Sequence, residues 1–170
     1  MHWLEFDWRY SWALETLKAL DHGVEKISNE YSDGLDLLEH AEEIVGLGFV
    51  ALQTYVSGTI TTLKKVFRPL SAADEDLRSR NCRSASGVTV VESIWAAGNY
   101  YKHHDMWPDW NPKGRRGSII LTLSKLGISA ASKFPCVETM EVLQGPGAPL
   151  VGLLEVASTW REASFSQLRR

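Results

Sequence analysis

The densest group of chemically active side chains in this 170-residue chain lies within residues 99–110. An amide, a lysine, two histidines, two carboxylates and several aromatic rings occur there together. In a helix, Asn99, Lys102 and His103 would stand at positions i, i+3 and i+4 and share one face. Histidine titrates near neutral pH and moves protons, whereas lysine and asparagine hold phosphate groups. The spacing therefore predicts a site for proton transfer beside a bound phosphate.

The segment Asn99-Tyr100-Tyr101-Lys102-His103 resembles the NxxxH half of the RNxxxH motif of HEPN (higher eukaryotes and prokaryotes nucleotide-binding) domains. The resemblance implies an all-α bundle in which the motif lies late in a helix that follows two long ones. Many such domains cleave RNA without a metal ion in toxin–antitoxin, abortive-infection and CRISPR-associated systems. Others have lost activity and act as binding modules.

Carried over to this chain, the resemblance implies that His103 is the catalytic histidine and Asn99 its positioning partner. The arginine of the motif is replaced by Gly98, so the cation that would stabilise developing phosphate charge is missing from this position. In these domains two motifs usually meet across a dimer interface, so a homodimer is expected.

Further residues around this centre are expected to contact RNA. Those predicted to bind RNA or its phosphates are Lys102, His104, Tyr100, Arg83 and Arg116. Trp107 and Trp110 flank Pro108 in a predicted loop and are expected to be the most exposed pair of tryptophans. Exposed aromatic rings stack on bases or anchor a protein partner.

A structural explanation of the same residues remains open. Lys102, His103 and His104 are cationic or polar groups of the kind that suits the negative end of a helix dipole. The neighbouring tyrosines and tryptophans would then cap the core, and the segment would have no ligand.

The charge distribution is explained by an acidic first helix that packs beside a more basic surface, or by one of two classes of function. Residues 1–43 hold 11 acids and 3 bases, a balance of −8, whereas residues 44–170 hold 10 acids and 15 bases, a balance of +5. The basic part could face RNA. Alternatively, the acidic helix mimics nucleic acid toward a basic partner, as in a non-enzymatic antitoxin, immunity protein or phage-encoded inhibitor.

Several other classes find no support in the sequence. The histidines and cysteines show no metal-ligand spacing, and no Walker loop or GxGxxG pattern is present, so neither metal nor cofactor is expected. Cys82 and Cys136 are too few for a disulfide-rich secreted scaffold. No segment approaches roughly 18 consecutive apolar residues, and the start lacks a signal peptide. A cytoplasmic protein with no membrane contact is expected.

The apolar spacing predicts one all-α helical domain over residues 1–170, a bundle built on two long N-terminal helices. The first helix is expected from about residue 11 to 31, and the second from about 35 to 67, where Arg68-Pro69 ends it. Shorter helices are expected after residue 71, after Gly87, over 116–126, from Pro135 to Leu143 and over 150–168.

Overall fold

The computed structural model describes residues 7–31, 33–68, 70–80, 87–107, 109–111 and 113–169. The chain is 78% helical with no strand in its described part, which confirms the predicted all-α bundle. The helices are α1 (Trp8–Glu30), α2 (Gly34–Val66), α3 (Asp74–Arg78), α4 (Val90–His103), α5 (Gly117–Lys125), α6 (Pro135–Gln144) and α7 (Leu150–Leu168).

Local signals place most of the helix ends. The side chain of Asp33 accepts a hydrogen bond from the Leu35 N–H at 2.8 Å and caps α2, as a short polar side chain does at a helix start. Pro135 occupies the first turn of α6. Gly127 follows α5 with φ of +87°, a left-handed conformation that glycine adopts without a Cβ clash.

The central element of the bundle is α2, which packs against α1, α4, α6 and α7. The apolar spacing along the second helix predicts a buried stripe from Leu35 to Phe67. The residues of that stripe that are buried are Ala41, Val45, Phe49, Leu52, Val56, Ile60 and Leu63. Leu35 and Leu38 at its start are exposed instead. The core therefore surrounds the middle of α2, and the other helices are arranged around that segment.

Two acids from the N-terminal helices cap the last two helices of the chain. The Asp21 carboxylate accepts the backbone N–H groups of Leu150 (2.7 Å) and Val151 (3.2 Å) at the start of α7. The Glu42 carboxylate accepts those of Cys136 (2.9 Å) and Val137 (2.9 Å) at the start of α6. The N-cap residues of α6 and α7 provide no side-chain hydrogen bond. The two carboxylates therefore accept from the first backbone N–H groups of these helices, which a side chain of the N-cap residue would bind in other helices.

Among the described helices, α2 alone is long and apolar enough to cross a membrane by length and composition. Its best window has a mean hydropathy of 1.4, and 61% of that window is buried inside the protein. Residues 44–63 carry no charged side chain, although glycines, threonines and a glutamine interrupt the apolar run. The core helix of a soluble protein meets the same criterion.

Candidate functional site

The helix α4 carries the polar segment, and its start is fixed by a capping box. The Thr89 hydroxyl accepts the Glu92 N–H at 3.0 Å, and the Glu92 carboxylate accepts the Thr89 N–H at 2.7 Å. These reciprocal bonds satisfy two amides that the helix leaves unpaired. The helix ends at His103, where φ is −132°, and a 3-10 turn over residues 104–106 follows. The polar segment therefore occupies the C-terminal end of α4 and the turn after it.

Gly98, at the position of the motif arginine, lies buried where α4 meets α2. A Cβ atom added at Gly98 would lie 2.8 Å from the Phe49 carbonyl oxygen and 3.0 Å from the Gln53 Cβ. Because a backbone oxygen cannot rotate away as a side chain can, no larger residue fits without moving one of the helices. Close packing against α2 therefore excludes an arginine side chain at position 98.

The Asn99 and His103 side chains differ in what they bind. Asn99 Nδ2 donates a hydrogen bond to the carbonyl of Trp95 at 2.9 Å, one turn back along α4. His103 is exposed, and its ring makes no hydrogen bond or ion pair with the described residues. The two residues stand one helical turn apart, with the asparagine amide held to its own helix and the imidazole open to solvent.

His104 is held on both sides of its ring. Its Nδ1 lies 3.0 Å from the Tyr101 carbonyl oxygen and its Nε2 lies 3.0 Å from Asp105 Oδ1. The ring also stacks on Tyr100, with 5.2 Å between centroids and 24° between planes. These contacts fix His104, which distinguishes it from the unbound imidazole of His103.

An aromatic cluster centred on Tyr100 covers this end of α4. Trp107 meets Tyr100 edge-on at 5.6 Å, and Trp110 meets it at 5.8 Å. Both tryptophans are half-buried, which corrects the expectation that they form the most exposed pair. Packing around the Tyr100 ring is the reason. Among tryptophans of the described ranges, the most exposed are Trp8 (58%) and Trp12 (50%) on α1.

Buried groups lie beneath this cluster. Burial raises the pKa of Tyr100 to about 12, and the nearby Cys136 and Glu42 add to this effect. Burial also raises the pKa of the Cys136 thiol, with the Glu42 charge contributing, and a thiol kept protonated is a poor nucleophile. Neither Tyr100 nor Cys136 is therefore suited to act as a base or nucleophile near neutral pH.

The predicted cations occupy three different situations. Lys102 is exposed at the side of α4 that faces α2, where partial burial lowers its pKa. Arg116 lies 5.8 Å from the Trp107 ring centre and 3.7 Å from Asp109, so it belongs to the aromatic cluster. Arg83 lies outside the described residues, as does Cys82. Of these cations, Lys102 is the one next to His103 in sequence, although successive residues of a helix do not face each other.

Sequence patterns did not single out two arginines that the fold places against α2 and α4. Arg9 lies across Gly58 of α2 and donates to the Thr62 hydroxyl at 3.2 Å. Arg78 is buried, with its guanidinium 4.2 Å from the Trp95 ring centre. For Arg9, the local signal is Gly58 itself, because a glycine within a long helix such as α2 indicates that another part of the chain packs closely against the helix there.

The exposed end of α4 thus combines an imidazole without a partner among the described residues, an ammonium group and a packed aromatic cluster. No protein-family model, curated protein or solved structure matches this chain.

Proposed function

We propose that this protein is a HEPN-like RNA-binding protein of a prokaryotic or phage defence or toxin–antitoxin system, acting in the cytoplasm as a homodimer. RNA is bound at the exposed end of α4. His103 is the general acid or base that would cleave the bound strand, without a metal ion.

The observation that carries this proposal is the exposed His103 imidazole, next in sequence to the exposed Lys102 ammonium. Other polar groups of the segment are engaged, since His104 contacts Tyr101 and Asp105. A histidine left without partners at the surface is available for proton transfer. A lysine beside it supplies a positive charge for a phosphodiester.

The chemistry expected of this pair is transesterification. The ribose 2′-oxygen attacks the adjacent phosphorus, the bond from phosphorus to the 5′-oxygen breaks, and a 2′,3′-cyclic phosphate forms. His103 either takes the proton from the 2′-hydroxyl or gives one to the leaving 5′-oxygen. Lys102 holds the phosphate. This route requires the 2′-hydroxyl, so the substrate is RNA and not DNA.

The buried Gly98 affects the balance between binding and cleavage. Without an arginine at this position, α4 lacks one cation that would stabilise charge in the transition state. We therefore expect the protein to bind RNA tightly and to cleave it slowly. A second subunit would bring a second His103 and Lys102 to the RNA, and a solution mass near twice the 19.1 kDa of one chain is the corresponding measurement.

Replacing His103 with alanine is expected to lower RNA cleavage in EDTA by about a hundredfold or more, the usual contribution of a general acid or base. RNA binding should change much less, because the ring is not the main source of positive charge. Purified wild type and variant are incubated with mixed RNA, and products are resolved with their 2′,3′-cyclic phosphate ends. His22→Ala, an exposed histidine on α1, is the matched control.

Equal cleavage by wild type and His103→Ala would remove the catalytic role and point to a contaminating ribonuclease. Absence of both binding and cleavage by the wild type would overturn the proposed function as a whole. Binding without cleavage would leave a non-catalytic HEPN-like binding module.

A second candidate is a protein that binds a basic protein partner and catalyses no reaction. The supporting observation is the exposed acidic surface of α1 and the beginning of α2, formed by Glu15, Glu25, Glu30, Asp33, Asp36 and Glu39. A nuclease-treated pull-down that retains a basic protein with the wild type and loses it with Glu30→Lys/Glu39→Lys would favour this function.

A further inference from the structure

Two adjoining cavities lie along the side of α2, away from the aromatic cluster of α4. One cavity, of about 370 Å³, is lined by Arg9, Gln53, Thr54, Ser57, Gly58, Thr61 and Lys102. It shares Thr61 with a cavity of about 540 Å³ that continues past Lys64, Lys65 and Arg68. We call this combined surface the α2 groove. From Gln53 to Arg68 it extends about 22 Å, at 1.5 Å per helical residue.

The charged side chains of the α2 groove are almost all basic. Arg9, Lys65, Arg68 and Lys102 line it and form no ion pair with the described residues. Lys64 is paired with Asp74, the acid at the far end of the groove. Arg9 also donates to the Thr62 hydroxyl and lies 4.6 Å from the Trp8 ring centre. These four cations, without an ion pair in the part of the chain that the structure describes, form a local surface complementary to a polyanion on a protein whose net charge is −3.

The threonine hydroxyl groups between these cations present their oxygens, and not their protons, to the groove. Thr54 and Thr61 donate their protons to the carbonyls of Val50 and Ser57 in their own helix, at 2.9 Å and 3.0 Å. Their oxygens therefore remain as acceptors, because each proton is already used. Acceptors of this kind suit a donor such as a ribose 2′-hydroxyl, whereas a phosphate or a carboxylate offers no proton to them.

An aromatic platform adjoins the α2 groove. A neighbouring cavity of about 190 Å³ shares Arg9 and Thr54 with it and is otherwise lined by Trp8, Trp12 and Tyr55. The two tryptophans stand one turn apart on α1 and are the most exposed tryptophans of the described ranges. Exposed rings beside a cationic path are the arrangement on which unpaired bases stack.

We propose that the α2 groove binds the backbone of single-stranded RNA, with a base stacked on Trp12 beside the Trp8 ring, which Arg9 covers, and with Lys102 joining the groove to the end of α4. The length fits a segment on the order of four nucleotides. This inference deepens the proposed function and rests on it, since it supplies the route by which a strand reaches His103.

Reversing two charges of the groove is expected to weaken binding of a labelled oligouridylate at least tenfold in low salt. The variant is Lys65→Glu/Arg68→Glu, and Lys125→Glu/Lys133→Glu is the control with the same change of charge at exposed lysines outside the groove. With four phosphate contacts, the wild-type slope of log association constant against log salt should be about −3. The groove variant should lose about half of that slope.

The stacking platform has a separate test. Trp12→Ala should weaken oligouridylate binding about tenfold, with little change in the salt slope, because a ring contributes stacking and no charge. An oligodeoxyuridylate of the same length should bind less tightly than the RNA. Circular dichroism checks that each variant keeps its fold.

Equal affinities and slopes for the groove variant and its control would overturn this inference while RNA binding by the wild type still supports the proposed function. No binding of oligouridylate by the wild type would overturn both. Competition by polyglutamate as strong as that by RNA at equal charge would overturn the RNA assignment and favour an acidic protein as the occupant.

Discussion

Replacing Gly98 with arginine, which would complete the RNxxxH pattern, is expected to unfold the protein and not to activate it. The residue is buried where α4 crosses α2, and even a Cβ atom would lie 2.8 Å from the Phe49 carbonyl oxygen. Gly98→Ala should lower the free energy of unfolding by about 1–3 kcal/mol, the usual cost of an added methyl group in a closely packed core. Urea titration followed by circular dichroism measures both variants.

Gly34→Ala is the matched control for this substitution. Gly34 is the first residue of α2, and nothing lies within 4 Å of a Cβ added there. Alanine at such a position should be neutral or stabilise the protein by up to about 1 kcal/mol, since it restricts the unfolded chain. Wild-type stability in Gly98→Ala would mean that α4 does not approach α2 as described.

Removal of the Glu42 carboxylate is expected to destabilise the protein through the start of α6. Glu42→Ala leaves the N–H groups of Cys136 and Val137 without their acceptor. Each buried donor that loses its partner costs about 1–3 kcal/mol, so a loss of about 2 kcal/mol or more is expected at pH 5. Thermal and urea unfolding measure it, with Glu39→Ala, an exposed acid on the same helix, as the control.

The same carboxylate gives a pH dependence of definite sign. Burial raises the pKa of Glu42, and the hydrogen bonds from Cys136 and Val137 offset part of this effect. A raised pKa in the folded state means that the protonated form is favoured by folding. Glu42 therefore contributes stability that is fully present below its unfolded value near 4.5 and is lost as the pH rises through the folded value.

The free energy of unfolding of the wild type, minus that of Glu42→Gln, should accordingly fall as the pH rises from about 4.5. The glutamine does not titrate, so the difference isolates this one group. Glu39→Gln should track the wild type across the same range. A difference that grew with pH would mean that the two backbone hydrogen bonds outweigh burial.

Local sequence rules were sufficient for most of the fold. The end of α2 before Pro69, Pro135 in the first turn of α6 and Gly127 after α5 all lie within a few residues of the ends they mark. Such signals act through the backbone of their own segment. The helices of the bundle could therefore be predicted without knowledge of their neighbours.

The site depended on contacts that no local rule contains. The acceptors for the starts of α6 and α7 lie 94 and 129 residues away in sequence. Gly98 stands at the position of the motif arginine, and the close approach of α2 that excludes a side chain there follows only from the packing of the two helices. Arg9 reaches the α2 groove only because α1 packs over Gly58. Each of these contacts depends on which helices pack against each other, and the apolar periodicity of the sequence does not determine which helices do so.

The caps supplied by Asp21 and Glu42 also bear on how the chain is completed during synthesis. At about 5–20 residues per second, the partner of Glu42 leaves the ribosome several seconds after Glu42 itself, and that of Asp21 later still. Until then a nascent α1–α2 pair has two hydrated acids that lack their amide partners, and an uncovered apolar flank. Ribosome-bound chains halted before residue 135 should therefore remain protease-sensitive and recruit holdase chaperones, and release from both should coincide with the emergence of α7.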